Sequence, residues 1–330
     1  MKAIIMAGGY ATRLWPITKT KAKPLLPLGK KKIIDHIYDK IKHFGFEIIV
    51  STNLRFKNDF EKWAEDKDVE LVIEKTTKEE EKLGAVRALY EVSKDIDDDI
   101  LVLAGDNVFS FGLEKFIEKF KEKRPLIALY DVGDFDLAKR YGIAQLDGDR
   151  IVSFEEKPEK PKSTLAGIGI YALDYDTKEM LSDYVRGDRK DNLGDFVSWL
   201  IGRKKVYGFV FDGNWHDVGN PDSYLEAFKI YLENHISDDV EIDKTSKIIE
   251  PVVIESNVEI RRRSIIGPYA YIGRDCVIES SDVSDSVIFD SVVLRRAKLW
   301  RSIVDEKCEI RNLELSSSII GGHAKIQRGE

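Results

Sequence analysis

The sequence predicts an α/β protein in two parts: a mostly parallel sheet with helices on both faces, then a short parallel β-helix. Three observations carry this. Apolar runs alternate with amphipathic helical stretches from residue 1 to about 230. Isoleucine then recurs at every sixth position from Ile254. The first apolar run, Ala3-Ile4-Ile5-Met6-Ala7, empties into Gly8-Gly9, where the missing Cβ atoms let backbone N–H groups approach a ligand.

Strands are expected at 2–7, 47–51, 69–73, 99–104, 126–131, 143–146, 150–154, 168–173 and 205–211, each an apolar or alternating run. Between them, stretches such as Ile33-Ile34-Asp35-His36-Ile37-Tyr38-Asp39-Lys40-Ile41 return an apolar residue every three or four positions, which is helical spacing. The alternation builds βαβ units and a Rossmann-like sheet, whose ligands bind at the carboxyl ends of the strands. The glycine pair falls at such an end.

The pattern changes after the charged stretch 233–247, which reads as a linker. Ile254, Ile260, Ile266, Ile272 and Ile278 keep a period of six; Ile288, Leu294 and Trp300 continue it after a shift of register, as do Ile320 and Ile326. A six-residue period places one apolar residue inward on each side of a prism of stacked coils. The expected organisation is an α/β domain over 1–232, a linker over 233–247 and a β-helix over 248–330.

Composition sets limits. The 330 residues are 43% hydrophobic and 34% charged, which is globular composition with room for two cores. A net charge of −7 argues against a nucleic-acid surface but leaves room for a local basic pocket. The apolar start is too short for a signal peptide, and no apolar run approaches a membrane span, so the expectation is a cytoplasmic protein. Cys276 and Cys308 lack metal-site spacing and read as buried reduced thiols. Glutamine occurs only at 145 and 327, a bias met in heat-adapted proteins.

The chemistry-bearing residues are rich in phosphate ligands. After Gly8-Gly9 come Thr12, Arg13 and Lys23, one hydroxyl and two cations; Arg offers a planar fork of donors and Lys a compact charge. The loop spells neither a Walker motif nor a dinucleotide fingerprint. Asp106 ends the buried run Leu101-Val102-Leu103-Ala104-Gly105, and Asp217 ends a strand-like run at Trp215-His216; the two carboxylates could share a divalent cation. Glu156 and Lys157, ahead of Pro158, offer an acceptor for sugar hydroxyls and a cation for a second phosphate, although such pairs are commonly solvated turns.

Taken in order, G-G-Y-A-T-R-L-x-P-x-T with K-P, L-G-A-V-R-A-L at 83–89, A-G-D-N at 104–107, E-E-K-P at 155–158, G-I-G-I-Y at 167–171 and W-H-D-V-G at 215–219 resemble the sugar-1-phosphate nucleotidyltransferases, of the glucose-1-phosphate thymidylyltransferase kind. The resemblance spans residues 1 to about 230, and the tail is similar to the left-handed hexapeptide β-helix carried by members of the same superfamily. It implies that a sugar 1-phosphate attacks the α-phosphorus of a nucleoside triphosphate with Mg²⁺ bound, and that pyrophosphate leaves. By resemblance, Arg13, Lys23 and Lys157 are catalytic; Ala7, Gly8, Gly9, Thr12, Gly84 and Arg87 line the nucleotide; Gly142, Glu156, Lys157 and Gly169 border the sugar phosphate; Asp106 and Asp217 hold Mg²⁺.

Three departures from the family pattern stand out, the last two bearing on base and sugar. Ala11 replaces the glycine common before the threonine, Arg87 stands where thymidylyl enzymes carry a glutamine, and Gly167 stands where many members carry an asparagine. The best match is glucose 1-phosphate with dTTP or UTP. The alternatives are a mannose-1-phosphate guanylyltransferase or another pairing, or a noncatalytic scaffold. An acyltransferase tail usually needs a basic histidine, and the tail offers His323 alone, so packing or oligomerisation is expected instead. Flat coil faces favour a homo-oligomer.

Overall fold

The computed structural model describes residues 1–81, 83–187, 189 and 191–328. Up to residue 217 its strands are β1 (Lys2–Met6), β2 (Pro27–Leu28), β3 (Lys31–Lys32), β4 (Glu47–Asn53), β5 (Glu70–Glu74), β6 (Ile100–Ala104), β7 (Asn107–Phe109), β8 (Leu126–Asp131), β9 (Gly142–Asp147), β10 (Arg150–Glu156), β11 (Leu165–Leu173), β12 (Val206–Phe211) and β13 (Trp215–Asp217). All the strands expected before residue 212 are among them. The helices are α1 (Ile33–Ile41), α2 (Lys57–Ala64), α3 (Ala85–Ser93), α4 (Glu114–Phe120), α5 (Phe135–Ala138), α6 (Tyr175–Arg186), α7 (Leu193–Ile201) and α8 (Pro221–Tyr231).

Among the described residues, nine strands form one sheet in the order β5-β4-β1-β6-β11-β8-β12-β10-β9. The first four are parallel; β11 enters antiparallel between β6 and β8, so the sheet is mixed. Parallel strands are covered on both faces and read as unbroken apolar runs. Ala3, Ile4 and Ile5 of β1 are accordingly 0% exposed. Val86 and Leu89 of α3, Leu181 and Tyr184 of α6, and Phe196 and Leu200 of α7 fill one core cluster against Ile4, Val102 and Leu129. Two further strands, β7 and β13, make a short antiparallel ribbon in which Asp217 pairs with Asn107.

Beyond α8 the chain winds into a parallel β-helix. Three rows of short strands stack in register, with Ile236, Ile254, Ile272, Ile288, Val304 and Ile320 following one another up one face. The first coil begins within the stretch expected as linker, with strands at His235–Ile236 and Glu241–Ile242. Its apolar side chains are sparse, which is why the stretch looked like a connection; Ile236, Val240 and Ile248 nevertheless pack on the β-helix core.

The coil length changes along the prism. The step from Ile254 to Ile272 is 18 residues, but that from Ile272 to Ile288 is 16. The shorter coils turn two corners in five residues, as from Ile278 to Val283, instead of six. One inward assignment changes as a result: Trp300 is 53% exposed, and Leu299, at 2%, fills the core in its place.

By contacts the chain divides into two compact units that are discontinuous in sequence: Met1–Gly9 with Ile34–Asp217, and Tyr10–Ile33 with Val218–Glu330. The boundaries therefore differ from those read off the sequence, because the segment after the glycine pair packs with α8 and the β-helix. In this second unit Val253, Val287 and Ile303 alternate with the inward residues of one coil face, and yet they are buried. The face is covered. Phe228 of α8 meets Tyr271 edge-on at 5.9 Å, and Arg301 joins Glu226 at 2.8 Å and Asp222 at 3.0 Å. α8 starts on a capping box, in which the Asn220 side chain accepts from Ser223 N and Ser223 returns the bond, with Pro221 in the first turn.

Candidate active site

In the first unit, β1 and β6 run parallel in register, so Ala7 and Gly105-Asp106 leave the sheet at adjacent strand ends. Gly105 N donates to Met6 O at 2.9 Å, and a Cβ on Gly105 would lie 2.8 Å from that oxygen; the close approach needs glycine. The glycine pair itself is different. Gly8 and Gly9 do not adopt positive φ. A Cβ at Gly9 would meet nothing within 4 Å, and one at Gly8 would make only ordinary contact with Glu74 at 3.6 Å. The fold does not require glycine at either position.

Asn53 and Glu74 shape this loop. Asn53 Nδ2 donates to Gly8 O at 2.9 Å, and Ala7 N donates to Ser51 O at 2.7 Å. Glu74 Oε1 accepts from Leu83 N and Thr76 Oγ1, both at 2.9 Å, while Oε2 faces Gly8. Glu74 thus touches the glycine turn at Gly8 and the chain ahead of Gly84 at Leu83. A cavity of 490 Å³ lined by Ser51, Ile73, Glu74, Leu83 and Ala88 adjoins them. Gly84 N-caps α3, and a Cβ there would strike Asp191, which accepts the N–H groups of Val86 and Arg87. The Arg87 side chain is exposed.

A second group surrounds the ribbon of β7 and β13. Asp217 ends β13 opposite Asn107, and Asp106 precedes Asn107, which brings together carboxylates far apart in sequence. Asn107 Nδ2 donates to Asp106 Oδ1 at 2.9 Å, and its Oδ1 accepts from Trp215 Nε1 at 2.7 Å. Tyr141 packs on Trp215 with centroids 4.9 Å apart; burial, with the Asp217 charge behind it, pushes its phenol up. Gly169 adopts φ +72° at a register shift in β11, and a Cβ there would lie 2.7 Å from Ala104. Among the described residues no cluster of three or more His, Cys, Asp or Glu could hold a metal. Asp106 and Asp217 are both half-buried carboxylates, and hard carboxylate oxygens completed by solvent would suit Mg²⁺, which seldom takes an all-protein cage.

Glu156 and Lys157 adjoin this group. Lys157 N donates to Tyr141 O at 3.0 Å, and Lys157 itself stands at φ +49°, a left-handed conformation that a residue with a Cβ seldom adopts. Its ammonium is 3.7 Å from Glu156 Oε1. The Glu156 carboxylate is packed so tightly on Gly142 and Gly194 that a Cβ at either would fall within 2.8 Å of Oε2. Burial, reinforced by Glu156, pushes the Tyr171 phenol up. Gly167 answers to Phe154, whose ring would lie 2.9 Å from its Cβ.

In the second unit, Thr12 and Arg13 form a short turn with exposed side chains, entered through Ala11 at φ 48° and ψ 48°. Lys23 is 9% exposed, and its Nζ donates to Val218 O at 2.7 Å. Val218 directly follows Asp217 in the chain.

Sequence reasoning named Asp106, Asp217, Gly142, Glu156, Lys157 and Gly169, and all six fall in one region of the first unit. It missed Asn53, Glu74, Asn107, Asp191 and Gly194. Of these, Asn107 carried a signal, as the residue after Asp106 in A-G-D-N; the others enter only through long-range contacts.

A glycine turn and an aspartate leaving adjacent parallel strand ends define a nucleotide-handling class of α/β protein. Residues 2–234 match the family model described as nucleotidyl transferase, and the chain belongs to that enzyme family. It is 30% identical over 346 residues to the bifunctional protein GlmU of Methanocaldococcus jannaschii, covering 93% of this chain and 78% of the relative. A GlmU of Methanococcus maripaludis is 31% identical over 270 residues; the match covers 81% of this chain but only 62% of that protein. The glucose-1-phosphate thymidylyltransferase of Streptomyces griseus is 28% identical over 99% of this chain and 93% of its own length. A solved Bacillus anthracis structure, provisionally assigned as a glucose-1-phosphate thymidylyltransferase and bound to sucrose, superposes with a TM-score of 0.63 at 27% identity, covering 72% of this chain and 98% of the other.

Among the described residues no helix is long and apolar enough to cross a membrane.

Proposed function

We propose that this protein transfers a nucleotidyl group from a nucleoside triphosphate to a sugar 1-phosphate in a Mg²⁺-dependent reaction, with glucose 1-phosphate and dTTP or UTP as its substrates. The observation that carries the reading is the pairing of β7 with β13, which sets Asp217 opposite Asn107, the neighbour of Asp106 in the chain, while Asp106 follows the β6 strand end adjacent to that of β1. Glycine at 8 and 9 answers no need of the fold, which fits a ligand drawn against that backbone. The S. griseus relative named a glucose-1-phosphate thymidylyltransferase supports the choice of sugar and base.

An oxygen of the sugar phosphate bonds to the α-phosphorus, and the bond from that phosphorus to the pyrophosphate oxygen breaks. The attacking group is already ionised, so the protein supplies position and charge compensation instead of a base. Asp106 and Asp217 would hold Mg²⁺, which would neutralise phosphate charge. Arg13 and Lys23 compensate charge around the α-phosphorus, with Thr12 and the Ala7-Gly8-Gly9 backbone along the triphosphate. Gly84 admits the base beside Glu74, and Arg87 lies one turn on. Lys157 orients the sugar phosphate, and Gly142, Glu156 and Gly169 border the sugar. The protein acts in the cytoplasm as a homo-oligomer.

Pyrophosphate release tests this directly, crossing dTTP, UTP, ATP, GTP and CTP with glucose, mannose, N-acetylglucosamine and galactose 1-phosphates. A sugar-dependent signal with glucose 1-phosphate, lost on adding a chelator and reduced at least about 100-fold in Asp106→Ala, is the expected result. Mannose 1-phosphate with GTP, or another pairing, would keep the reaction and replace the substrates. Silence in every pairing would leave the chain a scaffold.

A further inference from the structure

The segment that carries Arg13 and Lys23 is tied to the β-helix. Within the unit built of Tyr10–Ile33 and Val218–Glu330, Lys21 Nζ reaches Asp305 Oδ1 at 2.7 Å and Glu306 Oε2 at 3.2 Å. The same ammonium lies 5.5 Å from the centre of the Phe289 ring. A few residues earlier, Pro16 sits so close to Gly321 that a Cβ there would come within 3.0 Å of it. Two different coils therefore grip the stretch between Arg13 and Lys23.

The Lys21 contact is unlike the exposed ion pairs on the prism. Lys298 and Glu314, at 2.8 Å, are 62% and 74% exposed, and such pairs contribute little. The Asp305 side chain is only 3% exposed. A carboxylate withdrawn from water to that degree is tolerated only with a partner held in place, so the fold fixes Lys21 in return for solvating Asp305. Burial works most strongly against the Lys21 charge, but the bonds and charges of Asp305 and Glu306 together outweigh it and hold the ammonium above its usual range. Lys23 begins the next turn two residues on, and its own ammonium is committed to Val218 O at 2.7 Å.

We propose that the β-helix is a positioning element for catalysis: Asp305, with Glu306, fixes Lys21 and thereby the path of the chain between Arg13 and Lys23. This rests on the functional reading above, because Arg13 and Lys23 must be the groups that meet the phosphates. Charge compensation depends on placement, and a displacement of about 1 Å far from the reacting atoms can cost about 100-fold in rate. The tail is then part of the catalytic apparatus, and Asp305 and Lys21 are positioning residues that never touch substrate.

The test uses the full chain. Asp305→Asn, Lys21→Met and the double variant are compared with Glu314→Gln, which breaks the exposed pair on the same prism. The expected result is a fall of about tenfold in kcat for each single variant with little change in the KM for the triphosphate, no further loss in the double variant, and an unchanged Glu314→Gln control. Asp305→Glu, which keeps the charge, should recover most of the rate. A kcat within twofold of wild type in both single variants would overturn the proposal. So would a loss that follows a lowered melting temperature and is not relieved by Asp305→Glu, since that is what a merely structural pair would give.

Amide hydrogen exchange supplies a readout without turnover. Faster exchange at Thr20, Leu25 and Leu26 in Asp305→Asn, with β-helix core amides unchanged, supports the anchor; unchanged exchange at those three overturns it. If wild type turns over no substrate pairing, the functional reading fails on its own, and the exchange result still decides whether the coil holds the segment.

Discussion

The side-chain amide of Asn107 donates to Asp106 Oδ1 at 2.9 Å, and it can do so in only one orientation, because its oxygen accepts the Trp215 indole N–H at 2.7 Å. Trp215 and Asn107 are both under 10% exposed. The sequence joins Asp106 to its neighbour; the ribbon of β7 and β13 decides which way that neighbour faces.

Asn107→Ala should therefore loosen Asp106 without removing it. Partners that orient a metal ligand are worth about 10–100-fold in metal affinity. The expected outcome is a rise of that size in the Mg²⁺ concentration giving half-maximal activity, and a matching loss in Mn²⁺ affinity by titration calorimetry, with the far-ultraviolet dichroism unchanged. Unchanged metal affinity would remove Asn107 from the site.

Ala11 sits at φ 48° and ψ 48°, where a Cβ costs about 1–2 kcal/mol. Glycine removes that strain but gains entropy in the unfolded chain, so Ala11→Gly should stabilise the protein by about 0.5–1 kcal/mol. Urea unfolding measures this, and a lowered midpoint would count against a strained turn.

The buried protons set an alkaline limit. Burial pushes the Cys276 thiol from 9.0 up to about 12, and the Tyr231 phenol from 10.0 up to about 12. Burial raises the phenols of Tyr171, Tyr224 and Tyr271 as well. Each group holds its proton to higher pH in the folded state than in the unfolded chain. Their contribution is whole below pH 9 and is lost as the pH rises from 9 toward 12. The urea midpoint should be level from pH 7 to 9 and fall beyond, and a thiol reagent at pH 8 should label Cys276 and Cys308 only after denaturation.

The five-residue corners make opposite predictions for neighbours. Leu299 lies in the β-helix core and Trp300 outside it. Leu299→Ala should cost about 2–5 kcal/mol, and Trp300→Ala less than about 0.5 kcal/mol. A strict six-residue period would reverse the order, and thermal unfolding of the two variants distinguishes them.

Much of this molecule is legible in its sequence because its patterns are local. Ile4-Ile5 in β1 and Val102-Leu103 in β6 announce strands covered on both faces, and Gly8-Gly9 marks the turn that leaves β1. The Ile254–Ile278 series declares a coil. Asp106 and Asp217 could be picked out as carboxylates at strand ends. Glu74 could not, since nothing in Val72-Ile73-Glu74-Lys75 distinguishes a carboxylate that receives Leu83 N from one on the surface. The stretch 233–247 failed for the converse reason: its coil has too few apolar residues to show a period.

By itself, then, the sequence determined the element types, the glycine turn, the charge-bearing residues and the family to which they belong, because propensity, apolar period and motif are properties of neighbours along the chain. The tertiary structure alone decided that Asp217 pairs with Asn107, that Leu299 and not Trp300 turns inward, and that Lys21 reaches Asp305. Those outcomes depend on register and packing between residues far apart in sequence, where burial of one group is balanced against the partner that the whole fold brings to it.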